Sequence, residues 1–260
     1  MSSKKIAVVT GASKGIGYGI AEQLATDGFK VVVTSRSQVN ADAAAAGLQE
    51  KTAGEIIGLA YDMTNPKAAE ALIAATVSTF GDIDILVNNA LANCINAPLL
   101  QSDDADIDFA VLANLTSVIK LCKYAHPYLA KNSGAIVNIG SSITKRYVNG
   151  MPLYAMYKAA LVKLTEALAA DWAVDGIRLN TVNPGFTFSS AAADLGLSAE
   201  QVAGLYQYLN QFQPLGTAQP ADVAQMVAYL GSEKAAKISG AVIDVDGGHH
   251  IQGHPLFPAA

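Results

Sequence analysis

Seven short β-branched runs recur along the 260 residues, and alanine-rich segments of helical period lie between them. The runs are Ile6 to Thr10, Lys30 to Ser35, Glu55 to Tyr61, Ile83 to Asn88, Ala135 to Gly140, Ile177 to Val182 and Ala241 to Val245. Near-continuous apolar strands alternating with helices imply a parallel sheet covered on both faces. The intervening segments are apolar at i, i+3 and i+4, as in Ala68 to Phe80 and Leu161 to Trp172, with Gly28, Gly81 and Gly176 as punctuation. Right-handed crossovers then give a doubly wound α/β sheet of seven parallel strands. A chain of this length, 51% hydrophobic, can bury a full core, so residues 1–260 are expected to form one domain.

The turn after the first strand narrows the architecture to a Rossmann-type nucleotide fold. Thr10-Gly11-Ala12-Ser13-Lys14-Gly15-Ile16-Gly17 leads into an amphipathic helix. Glycines let the backbone approach a pyrophosphate, whose charge the helix N-terminus then meets. The spacing is Gly-x-x-x-Gly-x-Gly, and Gly11, Ser13, Lys14, Gly15, Ile16 and Gly17 are the candidate cofactor contacts in it. At the end of the second strand, an acid would hydrogen-bond a ribose 2′-hydroxyl. The chain has Thr34-Ser35-Arg36-Ser37 instead. Arg36 can clamp a 2′-phosphate in a planar fork, with Ser35, Ser13 and Lys14 close in sequence to the same corner, so the expected cofactor is NADP(H).

Tyr154 and Lys158 head a long alanine- and leucine-rich stretch that reads as a helix, four residues apart and therefore on one face. A phenol beside an ammonium is a proton donor with its own pKa depressor, and Ser141 lies thirteen residues upstream. The set points to chemistry at a carbonyl or an alcohol. By itself the pair is a weak signal, because ten tyrosines and fourteen lysines make a chance match common. Its weight comes from the nucleotide loop that precedes it.

Taken together, these pieces resemble the short-chain dehydrogenase/reductase family over nearly the whole chain. Asp62 resembles its adenine-contacting aspartate; Asn88-Asn89-Ala90 resembles the turn after its fourth strand, with Asn89 beside the cofactor; Asn114 matches its helix asparagine. Ser141, in Asn138-Ile139-Gly140-Ser141-Ser142, then Tyr154 and Lys158 follow in order, and Asn183-Pro184-Gly185 resembles the turn that shelters the nicotinamide. Val245-Asp246-Gly247-Gly248 resembles the family's C-terminal close. Two departures stand out: Leu91 replaces the glycine that commonly follows Asn-Asn-Ala, and Thr187 and Ser189 occupy the stretch that contacts the carboxamide, of which Thr187 is taken as the site residue.

The resemblance implies hydride transfer between NADP(H) and a carbonyl carbon or secondary alcohol. Tyr154 would be general acid in reduction and base in oxidation, which asks about 3 pKa units, or about 4 kcal/mol, of a phenol at neutral pH. Lys158 would supply most of this and also hold the nicotinamide ribose; Ser141 would donate to the substrate oxygen; Asn114 would steady a proton-relaying water. Tyr157, with Leu161 rather than a lysine four positions on, reads as a packing residue.

Residues 186–220 form an extra stretch between the sixth and seventh strands, aromatic and free of lysine and arginine, and read as a substrate lid. A small or moderately apolar ketone is the expected substrate. Lys145 and Arg146 can be a solvated basic pair or a carboxylate or phosphate site at the pocket mouth. A 3-oxoacyl thioester reductase acting on acyl carrier protein is an alternative, weakened by Asn132 and Asp175 where such an enzyme would carry basic residues; a sugar, polyol or steroid dehydrogenase is another, and a noncatalytic NADP-binding regulator a third.

A formal charge of -5 and only three arginines exclude a basic stripe for nucleic acid. The apolar run Ile6-Ala7-Val8-Val9 is too short for a signal peptide or membrane span, so a cytoplasmic protein is expected. Cys94 and Cys122 lack metal or disulfide spacing. His250 and His254 sit in a tail rich in glycine and proline, read as non-helical, and no metal site is expected there. That tail, Gly247 to Ala260, is expected to pack on a neighbouring subunit of a homotetramer.

Overall fold

The computed structural model describes residues 4–92, 98–188 and 198–252. Its strands are β1 (Ile6–Val9), β2 (Lys30–Ser35), β3 (Ile56–Ala60), β4 (Ile85–Asn88), β5 (Ala135–Ile139), β6 (Arg178–Pro184) and β7 (Val242–Val245). All pair in parallel in the order β3-β2-β1-β4-β5-β6-β7. The helices are α1 (Gly15–Thr26), α2 (Gln38–Thr52), α3 (Ala68–Phe80), α4 (Asp104–Val111), α5 (Ser117–Asn132), α6 (Pro152–Asp171), α7 (Ala199–Asn210) and α8 (Pro220–Gly231).

Successive strand residues point to opposite faces, and both faces are apolar. Val9, Val33, Val87 and Val137 pack with Ile20 and Leu24 of α1, Leu48 of α2 and Val223 and Val227 of α8. Their neighbours Val8, Val32, Leu86 and Ile136 pack with Leu72 of α3, Leu121 and Leu129 of α5 and Leu161 of α6 on the other side. Strand order reverses direction between β1 and β4, and ligands of such sheets bind outside the strand ends at that switch point.

Two local features depart from regular geometry. Between α4 and α5 the chain makes a π-helical turn, Leu112–Thr116, so one long helix is offset at Asn114. After α8, the Arg178 guanidinium donates to the carbonyls of Leu230 (2.7 Å), Ala235 (3.0 Å) and Ser232 (3.2 Å), satisfying acceptors that a helix end leaves open. Burial lowers the pKa of this arginine from its ordinary value. Replacing Arg178 by methionine should remove about 3 kcal/mol of stability and lower the melting temperature by roughly 6–12 °C; a drop under about 2 °C would show that the fork contributes little.

Between β6 and β7, α7 lies within the extra stretch 186–220 and α8 begins at its end. No helix among the described residues is long and apolar enough to cross a membrane. The tail begins with a 3-10 turn, His249–Ile251, where a non-helical path was expected, because Gly247 and Gly248 at φ 61° and 84° turn the chain sharply and let His249 N–H and Ile251 N–H bond back to Asp246 and Gly248.

Candidate active site

The residues singled out in the sequence gather at the carboxyl ends of β1, β4, β5 and β6. The glycine loop is fixed from two sides. Gly11 N–H donates to Thr34 Oγ1 (3.1 Å) at β2, while the Asn89 amide crosses the switch point from β4 to donate to the Thr10 and Gly11 carbonyls at 2.9 and 3.0 Å. Gly17 has no room for a side chain, since a Cβ there would lie 2.4 Å from both the Gly11 carbonyl oxygen and the Asn89 amide. Helix α1 starts beside this loop with Lys14 as N-cap and has no side-chain cap bond and no acid in its first turn. Its first N–H groups and positive dipole end thus suit the pyrophosphate of a dinucleotide.

Arg36 is exposed just past β2, and Asp62 is exposed beyond β3 on the adjoining strand. The Asp62 carboxyl is held below its ordinary pKa by the backbone N–H of Thr64 at 2.9 Å and its hydroxyl at 2.8 Å, with a smaller contribution from Arg36. The corner lacks an acid at position 36 yet has one across the strand gap. Ser35 ends β2, and Ser13 and Lys14 lie in the loop over the neighbouring strand.

Ser141 follows β5 and is pinned at every backbone atom that matters. Its N–H donates to Asn183 Oδ1 (3.0 Å) on β6, and its carbonyl accepts from Thr144 Oγ1 (2.9 Å). A Cβ on Gly140 would sit 2.0 Å from that same Asn183 oxygen, so glycine is required there. Ile143 N–H donates to Ser141 Oγ at 3.2 Å. A serine hydroxyl that accepts this bond keeps one O–H to donate, the kind of group that can stabilise an oxyanion.

Helix α6 brings Tyr154 and Lys158 to the same end, as their spacing predicts. Lys158 is buried, its Nζ donating to the Ile139 carbonyl at 2.6 Å and lying 5.9 Å from the Tyr154 ring centroid. Tyr157 is 1% exposed and sets its ring edge against Tyr154 at 5.3 Å, the packing role read for it. The register of α6 is fixed by a buried polar ladder. Asn88, Asn138 and Thr181 stand level across β4, β5 and β6. Asn88 Nδ2 donates to Asn138 Oδ1 (2.8 Å), Asn138 Nδ2 to Thr165 Oγ1 (2.8 Å), and Thr181 Oγ1 lies 2.9 Å from Thr165 Oγ1 two turns along α6 from Lys158.

Asn114 is buried in the π-helical turn, where its Oδ1 accepts from Ala92 N–H (2.9 Å) and its Nδ2 donates to Ala110 O (3.3 Å). The first contact holds the segment that carries Leu91, itself 49% exposed. On the other wall, Pro184 ends β6, the Gly185 carbonyl accepts from Thr187 Oγ1 (3.2 Å), and Thr187 O accepts from Tyr206 OH (3.4 Å). Ser189, Cys94 and His254 lie outside the described residues.

The basic and tail residues have partners within the chain. Lys145, which is exposed, pairs with Asp244, and Arg146 Nη1 donates to the His249 carbonyl (2.9 Å) and to Gln252 Oε1 (3.0 Å), so both cations have partners within the chain. From Gly247 to Gln252 the tail makes contacts within its own chain, the Gln252 amide also donating to Gln211 O (2.8 Å). His250 lies between Asp246 (2.8 Å) and Asp244 (3.6 Å), and Lys145 pairs with Asp244. Asn138, Ser142, Thr165, Asn183 and His249 were not singled out as site residues. The available signal was a polar residue at a position that the strand or helix pattern would otherwise make apolar.

Comparison with known proteins agrees with this geometry. A family profile described as enoyl-(acyl carrier protein) reductase matches residues 11–250. The chain is 37% identical over 246 residues to the short-chain dehydrogenase/reductase SDRA of Arabidopsis thaliana, covering 94% of each. It is 36% identical over 248 residues to the 3-oxoacyl-acyl-carrier-protein reductase FabG of Escherichia coli, covering 95% of this chain and 98% of that one. Among solved structures it resembles the L-sorbose reductase of Gluconobacter frateurii complexed with NADPH and L-sorbose, with TM-score 0.89, 30% identity and coverage of 96% and 98%.

Proposed function

Because this chain belongs to the short-chain dehydrogenase/reductase family, an oxidoreductase family that works with NAD(P)H on C=O and CH–OH groups, we propose that it reduces a small or moderately apolar ketone with NADPH. The observation that carries the reading is that Lys158, 5.9 Å from the Tyr154 ring centroid, donates to the carbonyl of Ile139, two residues before Ser141, on the same fold as an α1 N-terminus without a side-chain cap. Tyr154 gives the proton to the carbonyl oxygen, Ser141 stabilises the charge growing there, and Lys158 favours the phenolate and orients the cofactor ribose. Asn114 holds the relay at the π-helical turn. Gly11, Ser13, Lys14, Gly15, Ile16 and Gly17 receive the pyrophosphate, Arg36 with Ser35 the 2′-phosphate, Asp62 the adenine, and Asn89, Pro184, Gly185 and Thr187 the nicotinamide end. NADPH is also the cofactor in the sorbose reductase complex.

The substrate preference rests on charge and exposure. Leu91, Val148 and Phe188 are exposed apolar side chains on three segments leaving the site, and the nearby Lys145 and Arg146 are already engaged. A keto acid would find neither cation free to receive its carboxylate. Residues 186–220 serve as the lid of a single domain, with Phe188 stacked on Tyr206 at 4.2 Å. We also assign a homotetramer in the cytoplasm, the oligomer to be tested by light scattering. A panel of neutral ketones, 3-oxoacyl thioesters, sugars and keto acids, followed by NADPH absorbance, tests the activity; faster turnover of keto acids than of neutral ketones would overturn the substrate class.

A further inference from the structure

The first turn of the tail reaches directly under the proposed active site, and one residue in it touches two of the site's walls. His249 is 4% exposed. Its Nδ1 lies 3.1 Å from the hydroxyl of Ser142, which is itself 5% exposed and adjoins Ser141. Its ring meets that of Phe186 at 5.0 Å and 57°, immediately after Gly185. Its carbonyl accepts from Arg146 in the same segment that carries Ser142.

We propose that His249 is a positioning residue for hydride and proton transfer, joining the β5 exit that carries Ser141 to the β6 exit that carries Gly185. The inference rests on the proposed function for those two walls, and it adds a residue outside the Ser141, Tyr154 and Lys158 set.

The physical argument begins with how the loop is held. Ser141 is fixed by Ile143 N–H and Thr144 Oγ1 within its own turn and by Asn183 on β6. Those bonds set its orientation relative to the loop. The placement of the loop against the β6 exit depends on Asn183 on one side and on His249 on the other. A donor to an oxyanion must sit within about 0.5 Å of its productive place, so a wall free to shift loses rate before it loses fold. The buried hydroxyl and imidazole are also well suited to the task, because a satisfied polar pair in a low dielectric is strong and specifies one arrangement.

The tail is itself braced. The Asp246 carboxylate accepts from Gly248 N–H (3.0 Å), His250 N–H (2.8 Å) and His250 Nδ1 (2.8 Å). From below, Leu215 N–H donates to Gly247 O at 3.0 Å, and Gln213 Nε2 donates to Phe186 O at 3.0 Å. Phe186 is thus held by Gln213 through its backbone and by His249 through its ring.

The imidazole is kept neutral mainly by burial and next by the Arg146 guanidinium, both lowering its pKa from 6.5, against the opposing attraction of Asp246; His250 adds to the lowering. Lys145 and Asp244 lie beside His250 and compensate each other. Proton uptake by His249 at acid pH therefore puts a cation against Arg146 and, since both ring nitrogens then carry protons, leaves Nδ1 able only to donate to Ser142. An acid limb in kcat, below the ordinary imidazole range, is the expected signature.

The test compares His249→Phe, which keeps a ring against Phe186 but loses the polar contact, with His249→Asn, which restores a polar atom near the Nδ1 position, and with Ser142→Ala and the double variant S142A/H249F. Melting curves verify folding, and Ser142→Ala carries the test if the His249 variants do not fold. We expect kcat to fall about tenfold in H249F and in S142A with KM for NADPH within about twofold, the double no worse than either single, and H249N recovering most of the loss. The acid limb should disappear in H249F. Unchanged kcat in both single variants, or an unchanged acid limb, overturns the proposal.

A second readout needs no substrate: the fluorescence enhancement of bound NADPH, which reports an ordered nicotinamide. It should fall in H249F and S142A. If wild type oxidises NADPH with none of the carbonyls tested but these variants lose the enhancement, the proposed reaction is wrong and the positioning role stands. If the enhancement is the same in all variants of a protein that turns over nothing, the positioning role is wrong.

Discussion

Replacing Tyr154 by phenylalanine is expected to lower NADPH oxidation by about 10³-fold, in the range of a lost general acid, while leaving NADPH affinity within about twofold. The substitution removes one oxygen and keeps the ring that meets Tyr157 edge-on at 5.3 Å, so helix α6 should keep its packing. What disappears is the proton donor. The Lys158 ammonium, 5.9 Å from the ring centroid, favours the phenolate by its charge. Lys158 is well placed to act steadily, because its Nζ is anchored on the Ile139 carbonyl and its stem is buried. Ser141 keeps its donor in the variant, so a small residual rate from oxyanion stabilisation is expected. The measurement is kcat on the best ketone of the panel together with an NADPH binding titration. Turnover within tenfold of wild type would reassign the proton to another group, and loss of NADPH binding would show that Tyr154 supports the cofactor instead.

The residues that this prediction needs were readable because their chemistry is written locally. Tyr154 and Lys158 share a face by helical spacing, and the glycine loop announces itself by three glycines directly after a strand. The sheet was readable for the same reason: each apolar run is a strand buried on both faces, with Val8 and Val9 facing opposite layers. Contacts between segments distant in sequence were not. Ser142 and His249 meet across 107 residues, and Asn183 reaches Ser141 across 42. Neither has a spacing that could mark it. Lys145 and Arg146 show the same limit from the other side, since a basic pair reads identically whether it meets solvent, a substrate carboxylate or, as here, Asp244 and the tail carbonyls. The π-helical turn at Asn114 was also hidden, because an offset of one residue within a continuous helix leaves the apolar pattern nearly intact.

Replacing Arg36 by aspartate is expected to move the preference of kcat/KM from NADPH toward NADH by about 10³-fold. Charge-assisted hydrogen bonds contribute about 1.5–3 kcal/mol, so loss of the guanidinium alone weakens NADPH by roughly 10–150-fold. The new carboxylate adds repulsion against the 2′-phosphate and offers an acceptor to a 2′-hydroxyl, which accounts for the remainder. Asp62 makes the effect larger. Arg36 is among the groups that favour its ionised form, so in the variant two uncompensated carboxylates face the same corner. Arg36 is exposed, and its attraction for the phosphate should weaken as salt rises, whereas the preference of the variant for NADH should depend on salt much less. Lys14, also exposed at the mouth of the glycine loop, remains in the variant and leaves NADPH a measurable affinity. Steady-state kinetics with both cofactors at two ionic strengths separates these contributions. If the NADPH to NADH ratio stays within about threefold of wild type, the 2′-phosphate is read elsewhere, and Ser13 and Lys14 become the positions to change next.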